Sequence, residues 1–228
     1  MGRAQNDPTM LLMGRHRQGL TRLLLGEFVA ARALFDQCHE LSNPTIRERA
    51  RMPEDPYALM LGQLSRTMAC LGYLDQGRAR TNQALLESRQ LRHAHTLAFA
   101  LTYACGVEWV AHSPRNVKRH AEEVVNLSKE HGFPFWLSRG MIYLGWSLTW
   151  LDQAREGVVL LTRGLAAYRA TGAIVDPHAL VLLAEAYAKG GRPVEGLNYL
   201  NEAAQIIDMR ALTNGTARPI CIVYEVIC

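Results

Sequence analysis

The stretch GWSLTWLDQAREGVVLLTRGLAAYRATG, from Gly145, and the stretch LLAEAYAKGGRPVEGLNYLNEAAQII, from Leu182, follow one plan. Each holds an apolar-periodic segment, a polar break, and a second periodic segment whose second turn contains a glycine, Gly157 or Gly196, 39 residues apart. A glycine inside a helix costs about 1 kcal/mol relative to alanine. Finding it twice in the same slot implies that close helix contact requires it.

Working backwards by the same step gives Val117, Gly77 and Ala31, at intervals of 40, 40 and 46 residues. Four of the five slots are Gly or Ala. The residue five before each slot falls in the break between two helices: Gly26, Gly72, His112, Asp152 and Gly191. Three are glycine, as a left-handed helix stop favours. Self-similarity at this period marks a repeat array in which each hairpin buries its apolar face by stacking on the next. The expected fold is an all-α, right-handed α-solenoid of about five helical hairpins, and such hairpins use nearly all of the 228 residues.

Composition bounds the function classes. At 49% hydrophobic the chain is too apolar for intrinsic disorder, and a net charge of +4 is mild for this length. No run of Lys and Arg reaches the density of a nucleic-acid or lipid patch. The five cysteines, Cys38, Cys70, Cys105, Cys221 and Cys228, have no CxxC spacing and three fall within helical patterns. Reduced thiols and a cytoplasmic location fit that pattern. No segment has the uncharged apolar length of a membrane span, and the N-terminus lacks a signal-peptide core.

Along the chain, residues 9–25 read as a first helix. Phe28, Ala31, Phe35, Cys38 and Leu41 then form one apolar stripe at steps of three and four. Asn43–Glu54 is polar and arginine-rich and accounts for the longer interval. Asp55-Pro56, Ser113-Pro114 and Asp176-Pro177 are N-cap signals with proline in the first turn. Gly132-Phe133-Pro134 and Thr171-Gly172 are stops. The last helix is expected over Pro193–Asp208. The domain assignment is a repeat domain over 1–210 and an irregular tail over 211–228. The tail, ALTNGTARPICIVYEVIC, fits no polar capping helix, and the expectation is a truncated or frame-altered terminus, with a genuine extended tail as the alternative.

The turn glycine, the small-residue slot and the large residue four further on, as in Gly26, Ala31 and Phe35, resemble tetratricopeptide repeats, at a period of about 40 instead of the usual ~34. The strings GLTRLLLGEFVAARALFDQC, LGYLDQGRARTNQAL, HGFPFW, GWSLTWLDQAREGVVLLTRGLAAYRATGA and LAEAYAKGGRPVEGLNYLNEA resemble the C-terminal repeat region of bacterial multidomain signalling proteins of the adenylate/guanylate cyclase or predicted-ATPase kind. The resemblance covers roughly residues 8–206. It implies the repeat module of a signal-transduction protein whose cyclase and ATPase domains are absent from this sequence. No Gly-x-x-x-x-Gly-Lys-Ser/Thr phosphate cradle occurs.

Catalytic groups, cofactors and metal ions are not expected. His93 and His95 are two apart, so on a helix they point about 200° from one another and cannot share a tetrahedral ion. His112, His120 and His131 are spread along one helix. Glu122, Glu123 and Glu185 read as solvated faces, and Ser113, Ser128 and Ser138 sit in no nucleophile-elbow pattern.

The expected site is instead a concave groove lined by the first helices of the hairpins, taking a protein or peptide partner. The repeat step places Arg66, Gly106, Trp146 and Glu185 in one slot, with Trp109 and Trp150 near the same face and Arg139 about two turns before Trp146. Tryptophan and arginine are enriched at interface hot spots. A tryptophan at helical spacing is more often inter-repeat core, where burial contributes about 2 kcal/mol. A small-ligand effector sensor of a bacterial regulator is the alternative function.

Overall fold

The computed structural model describes residues 7–43, 45, 47, 53–173 and 176–214. All secondary structure among them is helical, and they divide into two compact units, Met1–Ala111 and His112–Cys228. The first unit contains α1 (Pro8–Leu24), α2 (Phe28–Leu41), α3 (Pro56–Cys70), α4 (Leu74–Gln90) and α5 (Ala94–Val110). The second contains α6 (Pro114–His131), α7 (Pro134–Trp150), α8 (Ala154–Ala170), α9 (Pro177–Lys189) and α10 (Pro193–Asn214). In the first unit α1 packs on α2, α3 on α4, and α3 also against α2 and α5. In the second, α7 packs on α8, α9 on α10, and α9 against both α7 and α8. The architecture is an α-solenoid of helical hairpins.

Local chemistry starts the helices where the sequence indicates. The Asp55 carboxylate accepts from the backbone N–H groups of Tyr57 and Ala58, and Asp176 accepts from that of His178, each ahead of a first-turn proline. Asp7 caps α1 in the same manner by accepting from Thr9. Ser113 differs: Pro114 opens α6, but the serine hydroxyl makes no capping bond.

The breaks share one backbone geometry. Gly26, Gly72 and Gly191 adopt φ of 75°, 84° and 78°, and His112 and Asp152 adopt 48° and 65° in the same position without glycine's freedom. Arg92, between α4 and α5, also turns left-handed at φ 52°, a break that nothing in the residue type announces.

The recurrent small-residue slot lies at the closest helix approaches. Ala31 and Val117 are fully buried, and Gly77, Gly157 and Gly196 are buried as well. A Cβ on Gly77 would sit 2.8 Å from the Ser65 carbonyl oxygen, and one on Gly196 the same distance from that of Ala184. Backbone oxygen fills the space a side chain would need.

The backbone of α10 continues to Asn214, beyond the expected stop at Asp208. The rest of the tail, 215–228, and part of the arginine-rich connection, at 44, 46 and 48–52, lie outside the described residues.

Candidate functional site

Four of the six expected site residues, Arg139, Trp146, Trp150 and Glu185, belong to the second unit and lie on the first helices α7 and α9. Arg66, half-buried on α3, and Trp109, 8% exposed on α5, belong to the first unit. The residues of the second unit that share a face stand on α7 and α9.

On α7, Arg139, Tyr143, Trp146 and Trp150 follow one another at steps of four, three and four, so their side chains share one face. Each meets a partner from α9 or its cap. Arg139 Nη1 donates to Asp176 Oδ2 at 3.3 Å, while the other oxygen of Asp176 caps α9. Tyr143 Oη lies 3.0 Å from His178 Nε2, and both residues are buried. Trp146 Nε1 donates to Glu185 Oε2 at 2.6 Å. The Lys189 ammonium lies 5.0 Å from the Trp150 ring centroid, within cation–π range.

The ring of His112, from the turn before α6, closes the end of this row. Its centroid is 4.4 Å from that of Trp150 at 80°, and 5.7 Å from that of Trp146 at 87°, both edge-to-face arrangements.

Burial separates these residues into two kinds. Trp146 is 0% exposed, so in this fold it is inter-repeat core and not a surface anchor. The physical reason is its partner: Glu185 accepts the indole N–H, which lets the whole ring leave water without stranding a donor. Arg139, Trp150 and Glu185 are half-buried, and His112 and Lys189 are exposed.

Lys189, His112, Asp176 and Tyr143 are additions to the expected set. Lys189 was findable, because the 39-residue step from Trp146 to Glu185 also leads from Trp150 to Lys189. His112 carried the signal of a break position and nothing of its ring contacts.

The two close histidines at the start of α5, its N-cap His93 and His95, point to different groups. His93 Nδ1 lies 2.6 Å from Thr96 Oγ1, whereas His95 Nδ1 faces Glu54 Oε1 at 3.2 Å. Among the described residues no three His, Cys, Asp or Glu side chains converge as a metal-binding group. Among the same residues no helix is long and apolar enough to cross a membrane. A shallow cleft of about 430 Å³ lies at the start of α8, lined by Asp152, Gln153, Ala154, Arg155, Glu156 and Val159.

No family model matches the chain, and no curated protein matches it. Solved structures do. The apo form of RapI is similar with a TM-score of 0.59 at 14% identity, over 87% of this chain and 71% of RapI. BtubC (BKLC) from P. vanneervenii is similar with a TM-score of 0.58 at 16% identity, over 94% of this chain and 86% of that protein. A Podosopora anserina putative kinesin light chain with nearly identical TPR-like repeats gives a TM-score of 0.56 at 16% identity, over 92% of this chain and 99% of that one. At these identities the likeness is one of fold: the chain has the architecture of tetratricopeptide-like helical repeats.

Proposed function

We propose that the chain is a non-catalytic protein–protein interaction and regulatory scaffold, the repeat module of a cyclase/ATPase-type signal-transduction protein of the bacterial cytoplasm. The observation that carries this reading is the face shared by α7 and α9. Half-buried Arg139, Trp150 and Glu185 stand there on the first helices of consecutive hairpins. Such side chains give a partner both an aromatic surface and directional charge, and they are held by rigid helices, so little conformational freedom is lost on docking. The tetratricopeptide-like architecture supports the reading, and the resemblance of the repeat strings to cyclase/ATPase signalling proteins supports its setting.

The test is a peptide library panned against the full chain, then repeated with Arg66→Ala, Arg139→Ala and Trp150→Ala variants whose helical content and melting are unchanged. The scaffold reading expects convergent peptides whose capture falls in at least one variant. Capture indifferent to Arg139→Ala and Trp150→Ala would remove this face as the site. An effector sensor would instead show no peptide capture and a rise in melting temperature with a small-molecule pool. Adding the chain to a cyclase of the resembled kind that lacks its own repeats tests the signalling setting separately: unchanged nucleotide turnover would remove that setting and leave the scaffold.

A further inference from the structure

We propose that His112, Trp150 and Lys189 form a docking corner for an acidic segment of a protein partner. The proposal rests on the scaffold reading and names the chemistry of its partner.

Hydrogen-bond complementarity along the α7–α9 row breaks at its last pair. Two of its pairs match donor to acceptor: the Arg139 guanidinium meets the Asp176 carboxylate, and the Trp146 indole N–H meets Glu185. The last pair does not. Trp150 and Lys189 both bring donors and neither brings an acceptor.

The Lys189 ammonium is exposed, and among the described residues no carboxylate stands within ion-pairing distance of it; its contact is the face of the Trp150 ring. Trp150 Nε1 is buried without an acceptor. His112 is exposed, held in a left-handed turn at φ 48°, and sets its ring edge-on to Trp150. Three nitrogen-bearing groups therefore meet at one half-exposed aromatic ring, and the complement they lack is an oxygen anion. A carboxylate on a flexible segment supplies it. It would pair with Lys189, and as the lysine moved off the indole face it would free the ring for the partner's apolar atoms.

The surroundings favour a protein over a nucleic acid. Glu185 lies one turn before Lys189 on α9, and exposed Asp152 follows Trp150 in the next turn. A continuous phosphate backbone would meet those carboxylates together with a single ammonium, whereas an acidic side chain needs only the corner itself.

The experiment uses the full chain and fluorescence anisotropy. The probes are short fluorescein-labelled peptides graded in net charge from acidic to basic, and a labelled single-stranded oligonucleotide. Affinity is expected to rise with the number of Asp and Glu residues, to weaken with added NaCl, and to fall about tenfold in Lys189→Glu while Lys189→Arg retains it. Lys189 is exposed, so these variants should melt as the parent does; should Lys189→Glu lower the melting temperature, Lys189→Gln takes its place.

Equal binding of neutral and basic peptides, or indifference to Lys189→Glu, would overturn the proposal, and the scaffold reading would stand if that binding fell in Arg139→Ala. Tighter binding of the oligonucleotide than of the acidic peptides would also overturn it. If no peptide bound at all, both readings would fall.

Discussion

Gly145 on α7 and Gly157 on α8 face each other so closely that a methyl on either would reach the other's carbonyl oxygen: 2.6 Å from a Cβ on Gly145, 2.5 Å from one on Gly157. Neither oxygen can rotate away, because both belong to helical backbone. Gly157→Ala is therefore expected to destabilise the chain by roughly 1–3 kcal/mol through forced separation of the two helices, despite alanine's better helix propensity. Gly14→Ala is the control. It adds the same methyl within α1 where nothing lies within 4 Å, and stability should rise by a few tenths to about 1 kcal/mol. Urea midpoints of the two variants should move in opposite directions.

Asp152 occupies a break at φ 65° that glycine takes in three of the five hairpins. An L side chain there carries strain of order 1 kcal/mol or more. Asp152→Gly is expected to raise the free energy of unfolding by about 1 kcal/mol, and Gly191→Ala, at φ 78°, to lower it by a similar amount. His112→Gly should gain less than Asp152→Gly, since it also discards the ring packed 4.4 Å from Trp150. Thermal melts of the three variants check the order.

These glycines also show why the architecture was legible. A left-handed break selects a residue type, and a helix crossing against backbone selects another, so both wrote themselves into the chain at fixed spacing: Gly26, Gly72 and Gly191, then Gly77, Gly157 and Gly196. Arg92 adopts the same backbone without such a residue, so the break before α5 has no residue-type signal in the sequence. The site was less legible for a different reason. Trp146 and Trp150 occupy one face of α7 at one helical step, yet the first is enclosed and the second half-exposed. Periodicity reports which face a residue is on. It does not report that Glu185 will accept an indole proton from one tryptophan while Lys189 lies over the other.

His16 makes the first unit acid-sensitive. Its ring is 3% exposed on α1, tilted against Phe35 of α2 with centroids 6.3 Å apart. Burial, reinforced by the charge of Arg17 and opposed by the Gln63 side chain of α3, pushes its pKa down from 6.5 to about 4. The folded state thus binds the proton less well than the unfolded one. Stability from this group is fully present above about pH 6.5 and is lost as pH falls towards about 4, a change on the order of 3 kcal/mol. Urea unfolding between pH 7 and pH 4 should show this loss, and His16→Leu should flatten the acid limb. An acid limb unchanged in His16→Leu would assign the sensitivity to other groups.

Trp146 and Glu185 decide how the binding face can be probed. The indole is fully enclosed, and its N–H depends on a carboxylate 2.6 Å away on the neighbouring first helix. Trp146→Ala should cost roughly 3–5 kcal/mol, as for other large core truncations, so lost binding in that variant would report damage to the fold. Glu185→Ala takes away the acceptor and should cost about 1–3 kcal/mol, while Glu185→Gln retains a carbonyl oxygen and should cost less. In a double-mutant cycle, Trp146→Phe and Glu185→Ala should couple by at least about 0.5 kcal/mol, since each removes one end of the same bond. Strict additivity would mean that the bond contributes nothing to joining α7 to α9. Trp150 has no carboxylate on its indole nitrogen and is partly open to solvent. Its replacement should change partner capture more than stability, the reverse of the order expected for Trp146.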